Sequence, residues 1–207
     1  MVSLHDSWNS ISQKVAKNYL KTFGSPSIES KLILYEVLKE MAAGNCLSLV
    51  DLGCGNANLA EYLSEKKLNF SYTGVDFSTS LLNAAQEAYP SANFVCDDVN
   101  LLQNVNGIYD VAVYSHVIEM LPSPEQSLLS AQRFAKKIII RFFEPPEAYV
   151  DWVELLDMDV GGEFRVPYIR RRMSKDYYRL ILSKMGCKTV DVYRDDNSKD
   201  QIHVLNY

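Results

Sequence analysis

Two spacings of apolar residues alternate along the chain, and each change of spacing marks an element. Short apolar or alternating runs fall at 47–51, 70–76, 92–96, 109–115, 136–143, 189–193 and 201–205, and these read as strands. Between them the apolar residues recur at helical spacing. Trp8, Ile11, Val15 and Tyr19 predict an amphipathic helix over 7–22, and Leu34, Val37, Leu38 and Met41 a second one beginning near Pro26. Ala57 to Leu63 reads as the first turns of a third helix, and Ser78-Thr79-Ser80 opens a helix ending near Pro90. Ser123-Pro124-Glu125-Gln126 reads as a capping box with proline at the first helical position. Ser174 reads as the cap of a helix through Met185, and Gly24, Gly44 and Gly186 suit the residue after a helix end. Strands alternating with helices predict an α/β protein.

The stretch Leu47 to Asn58, L-S-L-V-D-L-G-C-G-N-A-N, is the most informative. An apolar run ends on Asp51, and two glycines one residue apart follow, with a helix start after them. Glycine allows positive φ and lets the backbone approach a ligand closely. A strand, a glycine turn and a helix N-terminus together make a nucleotide cradle, because free N–H groups point into the gap. Asp76 ends the next strand about 20 residues later, where a carboxylate can accept both hydroxyls of a ribose.

Bulk properties narrow the field. The chain has 207 residues, 47% hydrophobic and 23% charged, which is ordinary globular composition with room for a sizeable core. A net charge of −5 argues against gripping nucleic acid by charge alone. Cys46, Cys54, Cys96 and Cys187 are scattered without a C-x-x-C pair, so a reduced cytoplasmic chain is expected, with no disulfide framework and no metal site. No run reaches transmembrane length, and residues 1–8 lack the pattern of a secretory signal.

Val50-Asp51-Leu52-Gly53-Cys54-Gly55 resembles motif I of the class I (Rossmann-like) S-adenosylmethionine-dependent methyltransferases. The family often has a third glycine where this chain has Asn58, a residue tolerant of left-handed backbone. The resemblance implies a doubly wound, mostly parallel seven-stranded sheet with an antiparallel last strand. It implies one domain, with helices in residues 1–45 covering the cleft and residues 46–207 forming the core. It also implies S-adenosylmethionine as cofactor and S-adenosylhomocysteine as product. Asp51 would then meet the ammonium, the glycine turn (Gly53, Cys54, Gly55 and Asn58) the amino-acid end, and Asp76 with Phe77 the ribose. Asp98, with Asp97 as second choice and the Val99 amide, would meet the adenine. Tyr109 to Leu121 resembles the family's segment along the transferable methyl group, which puts Ser115 beside it. It lacks the Asn/Asp-Pro-Pro-Tyr sequence of base and glutamine methylation. Tyr19 and Trp8 would be lid residues or, on the simpler reading, ordinary packing aromatics.

The acceptor is less legible. His116 follows Ser115, and an imidazole titrates in the range a base needs; the alternatives are a ring that simply packs or hydrogen-bonds a neighbour, Glu119 or Glu144 as rival bases, and alignment without any base. Residues 147–173 hold Tyr149 and Trp152 among acids, a segment able to receive a cationic substrate or to form the solvated face of a short helix. Arg170-Arg171-Arg172 read as solvated or paired. Asp195-Asp196-Asn197-Ser198 read as a distal turn, where loss of Asp195 should be neutral for cofactor binding. The reading is a methyltransferase acting on an oxygen or nitrogen of a small molecule. A protein or RNA methyltransferase with an open cleft, and a non-catalytic cofactor-binding domain, are the alternatives. The oligomeric state is not encoded in any pattern.

Overall fold

The computed structural model describes residues 8, 11–17, 29–159 and 165–207. Helix α1 (Glu29–Ala42) leads into β1 (Leu47–Leu52), α2 (Asn58–Glu65), β2 (Phe70–Asp76), α3 (Thr79–Ala88) and β3 (Asn93–Cys96). Then follow β4 (Tyr109–Ser115), a 3₁₀ turn (Ile118–Met120), α4 (Pro124–Ala131) and β5 (Ala135–Phe142). The chain continues through β6 (Trp152–Asp159), β7 (Arg165–Arg172), α5 (Lys175–Lys184), β8 (Thr189–Arg194) and β9 (Gln201–Asn206).

Seven strands form one sheet in the order β3-β2-β1-β4-β5-β9-β8. Strands β1 to β5 pair in parallel, with Leu52 beside Val75 and Val113 beside both Asp51 and Ile139. Only β9 is reversed. It runs antiparallel to β5 and to β8, with Phe142 beside Gln201 and Tyr193 beside Ile202. The central strands β1 and β4 are apolar on both faces because helices cover both. On one face Leu49, Val111, Val113 and Ile139 meet Leu34 and Leu38 of α1, Leu63 of α2 and Leu82 of α3. On the other, Val50, Ala112, Tyr114, Ile138 and Ile140 meet Leu128 of α4 and Ile181 of α5. Fully burying each such side chain contributes about 1.5–3 kcal/mol. The strand order reverses between β1 and β4, and a sheet of this kind opens a ligand crevice at that point, beyond the strands' carboxyl ends.

Three expectations about local structure change. Where the solvated face of a short helix is one expectation, β6 and β7 make a separate antiparallel ribbon, with Glu154 opposite Arg170 and Trp152 opposite Arg172. Each of the three arginines finds an acid or an aromatic ring. Arg170 pairs with Glu144, Arg171 with Asp151 at 2.5 Å, and the Arg172 guanidinium lies 5.0 Å above the Trp152 ring. Proline does open α4, but the Ser123 side chain makes no cap hydrogen bond, so the capping box is not formed. The left-handed residue before α2 is Ala57 (φ +68) and not Asn58, which is already helical. Ser174 caps α5 as expected, its Oγ accepting from the Tyr177 amide at 3.1 Å.

Most of residues 7–22, with Tyr19, Gly24 and Pro26, lies outside the described residues. Residues 13–17 are helical as expected. Ile11 and Ala16 cluster with Leu81 and Ala84 of α3, and Trp8 packs against them. No helix among the described residues is long and apolar enough to cross a membrane.

Candidate active site

The glycine turn continues β1 without breaking its partnership with β2, since the Gly53 and Cys54 amides both donate to the Val75 carbonyl, at 2.8 and 3.0 Å. Gly53 sits at φ +80, and a Cβ there would lie 2.6 Å from Cγ2 of Val117. Conformation and space both require glycine. This contact also lays the loop after β4 directly over the turn.

Asp76 clasps two turns together. Its Oδ2 accepts from the Gly55 amide at 3.0 Å and its Oδ1 from the Ser78 amide at 2.9 Å. Burial raises its pKa, while the Ser78, Gly55 and Phe77 amides work in the opposite direction. A carboxylate has about four acceptor sites, so beyond these amides it retains capacity for a further donor. Asp51 is enclosed, with 2% exposed, and the Tyr72 hydroxyl donates to its Oδ2 at 2.7 Å. Burial lifts it to about 7 against the help of Tyr72. The residue expected to meet an ammonium group is therefore satisfied on one oxygen by the protein.

After β3, both acids organise the loop. The Asn104 amide donates to Asp97 Oδ2 at 2.7 Å, and Asn100 donates to Asp98 Oδ1 through its backbone (2.8 Å) and its side chain (2.9 Å). Val99 is buried, and its carbonyl accepts from the Ser127 hydroxyl at 2.6 Å. Asn56, which the sequence reading passed over, is buried beside the glycine turn. Its Nδ2 donates to the Ala16 carbonyl at 2.9 Å, and its Oδ1 has no partner among the described residues. An orphaned acceptor, together with Asp76 and the acids after β3, suits a ligand rich in hydroxyl and amino donors.

Beyond β4 lies a buried polar cluster. Arg141 of β5 donates to the Ser30 hydroxyl, to Asp200 Oδ2 at 3.1 Å and to the Ser115 hydroxyl at 3.2 Å. The Ser30 hydroxyl donates to the same Asp200 oxygen at 2.6 Å, and His116 Nε2 lies 3.0 Å from it. Arg141, Ser30 and Asp200 carried no site signal in the sequence, because their partners lie 26 to 170 residues away.

The two rival bases are otherwise engaged. Glu119 is fully buried, and its Oε1 accepts the Phe143 and Glu144 amides at 2.8 and 3.2 Å, fixing the end of β5. Glu144 pairs with Arg170 and, at 3.7 Å, with Arg172. Tyr149 and Trp152, expected to meet substrate, are 91% and 47% exposed; Lys175 lies 5.4 Å above the Tyr149 ring. A cavity of about 540 Å³ lies at the opposite edge of the sheet, lined by Leu47, Asp110 and Lys136. It does not touch the glycine turn.

A doubly wound sheet with a glycine turn, a strand-end carboxylate and a donor-seeking rim defines a nucleoside-type cleft. Residues 49–137 match the family model described as "Methyltransferase domain". Trans-aconitate 2-methyltransferase of Escherichia coli (strain K12 / DH10B) is 26% identical over 167 residues, 77% of this chain and 63% of that protein. Ubiquinone biosynthesis O-methyltransferase of Coxiella burnetii (strain Dugway 5J108-111) is 28% identical over 92 residues, 42% of this chain and 38% of that protein. The matched stretch is less than two thirds of the length of either relative. Among solved structures, magnesium protoporphyrin IX methyltransferase from Synechocystis PCC 6803 shares the fold, with a TM-score of 0.64 and 15% identity over 98% of this chain and 95% of that one. Over residues 49–137 the chain is thus similar to a methyltransferase domain, and its fold is that of S-adenosylmethionine-dependent methyltransferases of known structure.

Proposed function

We propose that this protein binds S-adenosylmethionine and directs its methyl group to an oxygen or nitrogen of a small molecule. The observation that carries the reading is the Asp76 clasp, one carboxylate joining Gly55 and Ser78 at the carboxyl edge of β2. Asp76, with Phe77 beside it, would hold the ribose. The turn Gly53-Cys54-Gly55, with Asn58 at the start of α2, would receive the amino-acid end, with Asp51 behind it. Asp98, or Asp97, would hold the adenine amino group beside Val99. Bound there, the cofactor supplies a methyl activated by its sulfonium. The protein's share is then chiefly orientation, worth effective molarities up to about 10⁵–10⁸ M in favourable cases. Ser115 and His116, on the loop that Val117 fastens to Gly53, border the reacting end.

A small acceptor is favoured because Arg170, Arg171 and Arg172, the one basic run, are all engaged within the protein. Residues 1–45 are read as the cover of the cleft, supported by the bonds from Asn56 to Ala16 and from the Ser78 hydroxyl to the Trp8 carbonyl at 3.1 Å. The exposed thiols of Cys46 and Cys96 favour a reducing compartment such as the cytoplasm. Calorimetry should give binding of S-adenosylmethionine and S-adenosylhomocysteine and none of NAD; tight NAD binding with neither sulfur compound bound would refute the reading. Tritiated cofactor offered to metabolite, protein and RNA pools should label the metabolite pool. Label entering protein or RNA would move the substrate class, and binding without turnover on any pool would favour a cofactor-binding partner domain.

A further inference from the structure

From the hydrogen bonds converging on Asp200 we infer that Asp200 is a positioning residue, holding His116 in the Nε2–H tautomer so that Nδ1 faces the cleft as a proton acceptor. The inference rests on the methyl-transfer reading only for what occupies that cleft.

One oxygen, Asp200 Oδ2, meets three partners: Ser30 Oγ at 2.6 Å, Arg141 Nη2 at 3.1 Å and His116 Nε2 at 3.0 Å. Burial alone would raise the Asp200 carboxyl, but His116, Ser30 and the Arg141 charge outweigh it and hold it at about 2. An ionised carboxylate only accepts hydrogen bonds, so His116 Nε2 must carry a proton. Burial lowers the pKa of the imidazole; the bond to Asp200 opposes this, and the charges of Arg141 and Lys31 add to it. A neutral imidazole has a single N–H. With that proton on Nε2, the lone pair is on Nδ1.

The surroundings are set by every element packed against the ring. Asp200 comes from the loop before β9, Arg141 from β5 and Lys31 from the first turn of α1, while Glu119 lies behind Asp200 and Arg141. The edge of Phe143 meets the ring, with centroids 5.5 Å apart. The backbone is committed as well: His116 sits at φ +58, its amide donating to the Arg141 carbonyl at 2.9 Å. Nδ1 has no partner among the described residues, and the side chain is 29% exposed. His116 is adjacent to Val117, whose methyl groups cover Gly53, so the ring borders the cradle.

This arrangement fits an acceptor that must lose a proton, a hydroxyl or an ammonium group. The O–H or N–H bond breaks and its proton joins the Nδ1 lone pair. The electron pair left on oxygen or nitrogen forms the bond to the methyl carbon, and the sulfonium sulfur keeps the pair of the broken S–C bond, becoming a thioether. The imidazolium then releases its proton to water.

The test is direct, because the chain has only three histidines. Full-length protein labelled with ¹⁵N-histidine, with His116 assigned through His116→Gln, should show at pH 7.5 a protonated Nε2 and an imine-like Nδ1. In Asp200→Asn this fixed pattern should give way to mixed tautomers. A wild-type His116 protonated on Nδ1, or averaging rapidly between tautomers, would overturn the proposal even if Asp200→Asn failed to fold. With an acceptor from the screen, Asp200→Asn should lower kcat at least 10-fold without weakening cofactor binding, and Asp200→Glu should restore part of it. Asp200→Asn with the pH profile and kcat of the wild type would also overturn it. Loss of cofactor binding in the wild-type protein sinks the methyl-transfer reading instead and leaves the tautomer result standing.

Discussion

Asp195 accepts the backbone N–H of Ser30 at 3.0 Å, a bond between residues 165 positions apart. Its other oxygen takes the amides of Asn197 and Ser198 at 2.8 and 3.2 Å, so one carboxylate caps α1 and closes the turn before β9. Asp195 therefore holds structure together, a role separate from the cofactor binding for which its loss is expected to be neutral. Asp195→Ala should cost about 1–2 kcal/mol, the scale of a lost cap and stranded amides. Urea unfolding measures it; a midpoint equal to wild type would mean the α1 end finds another cap.

Gly53→Ala should be more severe. Left-handed backbone costs a side-chain-bearing residue roughly 1–2 kcal/mol, and the new methyl group would overlap Val117. Combining it with Val117→Ala should recover the overlap component and leave the backbone component. Thermal melts of the two single variants and the double variant read this directly. Strict additivity would mean that the two residues do not touch in solution.

Asp76→Ala should weaken binding of S-adenosylhomocysteine by about 1–3 kcal/mol, the penalty for leaving buried polar groups unpaired. It should lower stability too, because the Gly55 and Ser78 amides lose their acceptor. Asp76→Asn keeps one acceptor oxygen and should fall between wild type and alanine in both measurements. Calorimetry showing unchanged affinity in the alanine variant would put the ligand elsewhere.

Glu119 predicts a pH dependence of stability. Burial raises its folded pKa from 4.5 to about 7, despite the Glu144 and Phe143 amides. Between those values the folded chain holds a proton that the unfolded chain has released. Stability therefore falls as pH rises from 4.5 to 7, and the loss is complete above 7. The gap corresponds to up to about 3 kcal/mol. Glu119→Gln removes this ionisation while keeping an acceptor for the two amides. The variant should therefore gain on wild type between pH 5 and pH 8. Parallel stability curves over that interval would show that Glu119 ionises normally.

The sequence by itself determined what depends on neighbours within one or two elements. Strand and helix periods gave the α/β order, because side-chain direction repeats every second residue in a strand and every 3.6 in a helix. The glycine turn and Asp76 were legible for a related reason. They lie at consecutive strand ends of one β-α-β unit, so spacing along the chain fixes their spacing in the fold. Errors at this level were small, as when the left-handed position fell on Ala57 instead of Asn58.

Only the tertiary structure decided which carboxylates serve which purpose. Glu119, Glu144, Asp195 and Asp200 look alike in a sequence. One is buried on two amides, one pairs with arginines, one caps a helix and one holds a histidine. Residues 147–173 likewise read as a substrate-receiving segment or the solvated face of a short helix until Glu154 met Arg170 and Trp152 met Arg172 across a ribbon. A carboxylate's role follows from its burial and its donors. Here those donors come from elements brought together by packing on the sheet, over separations that no local pattern records.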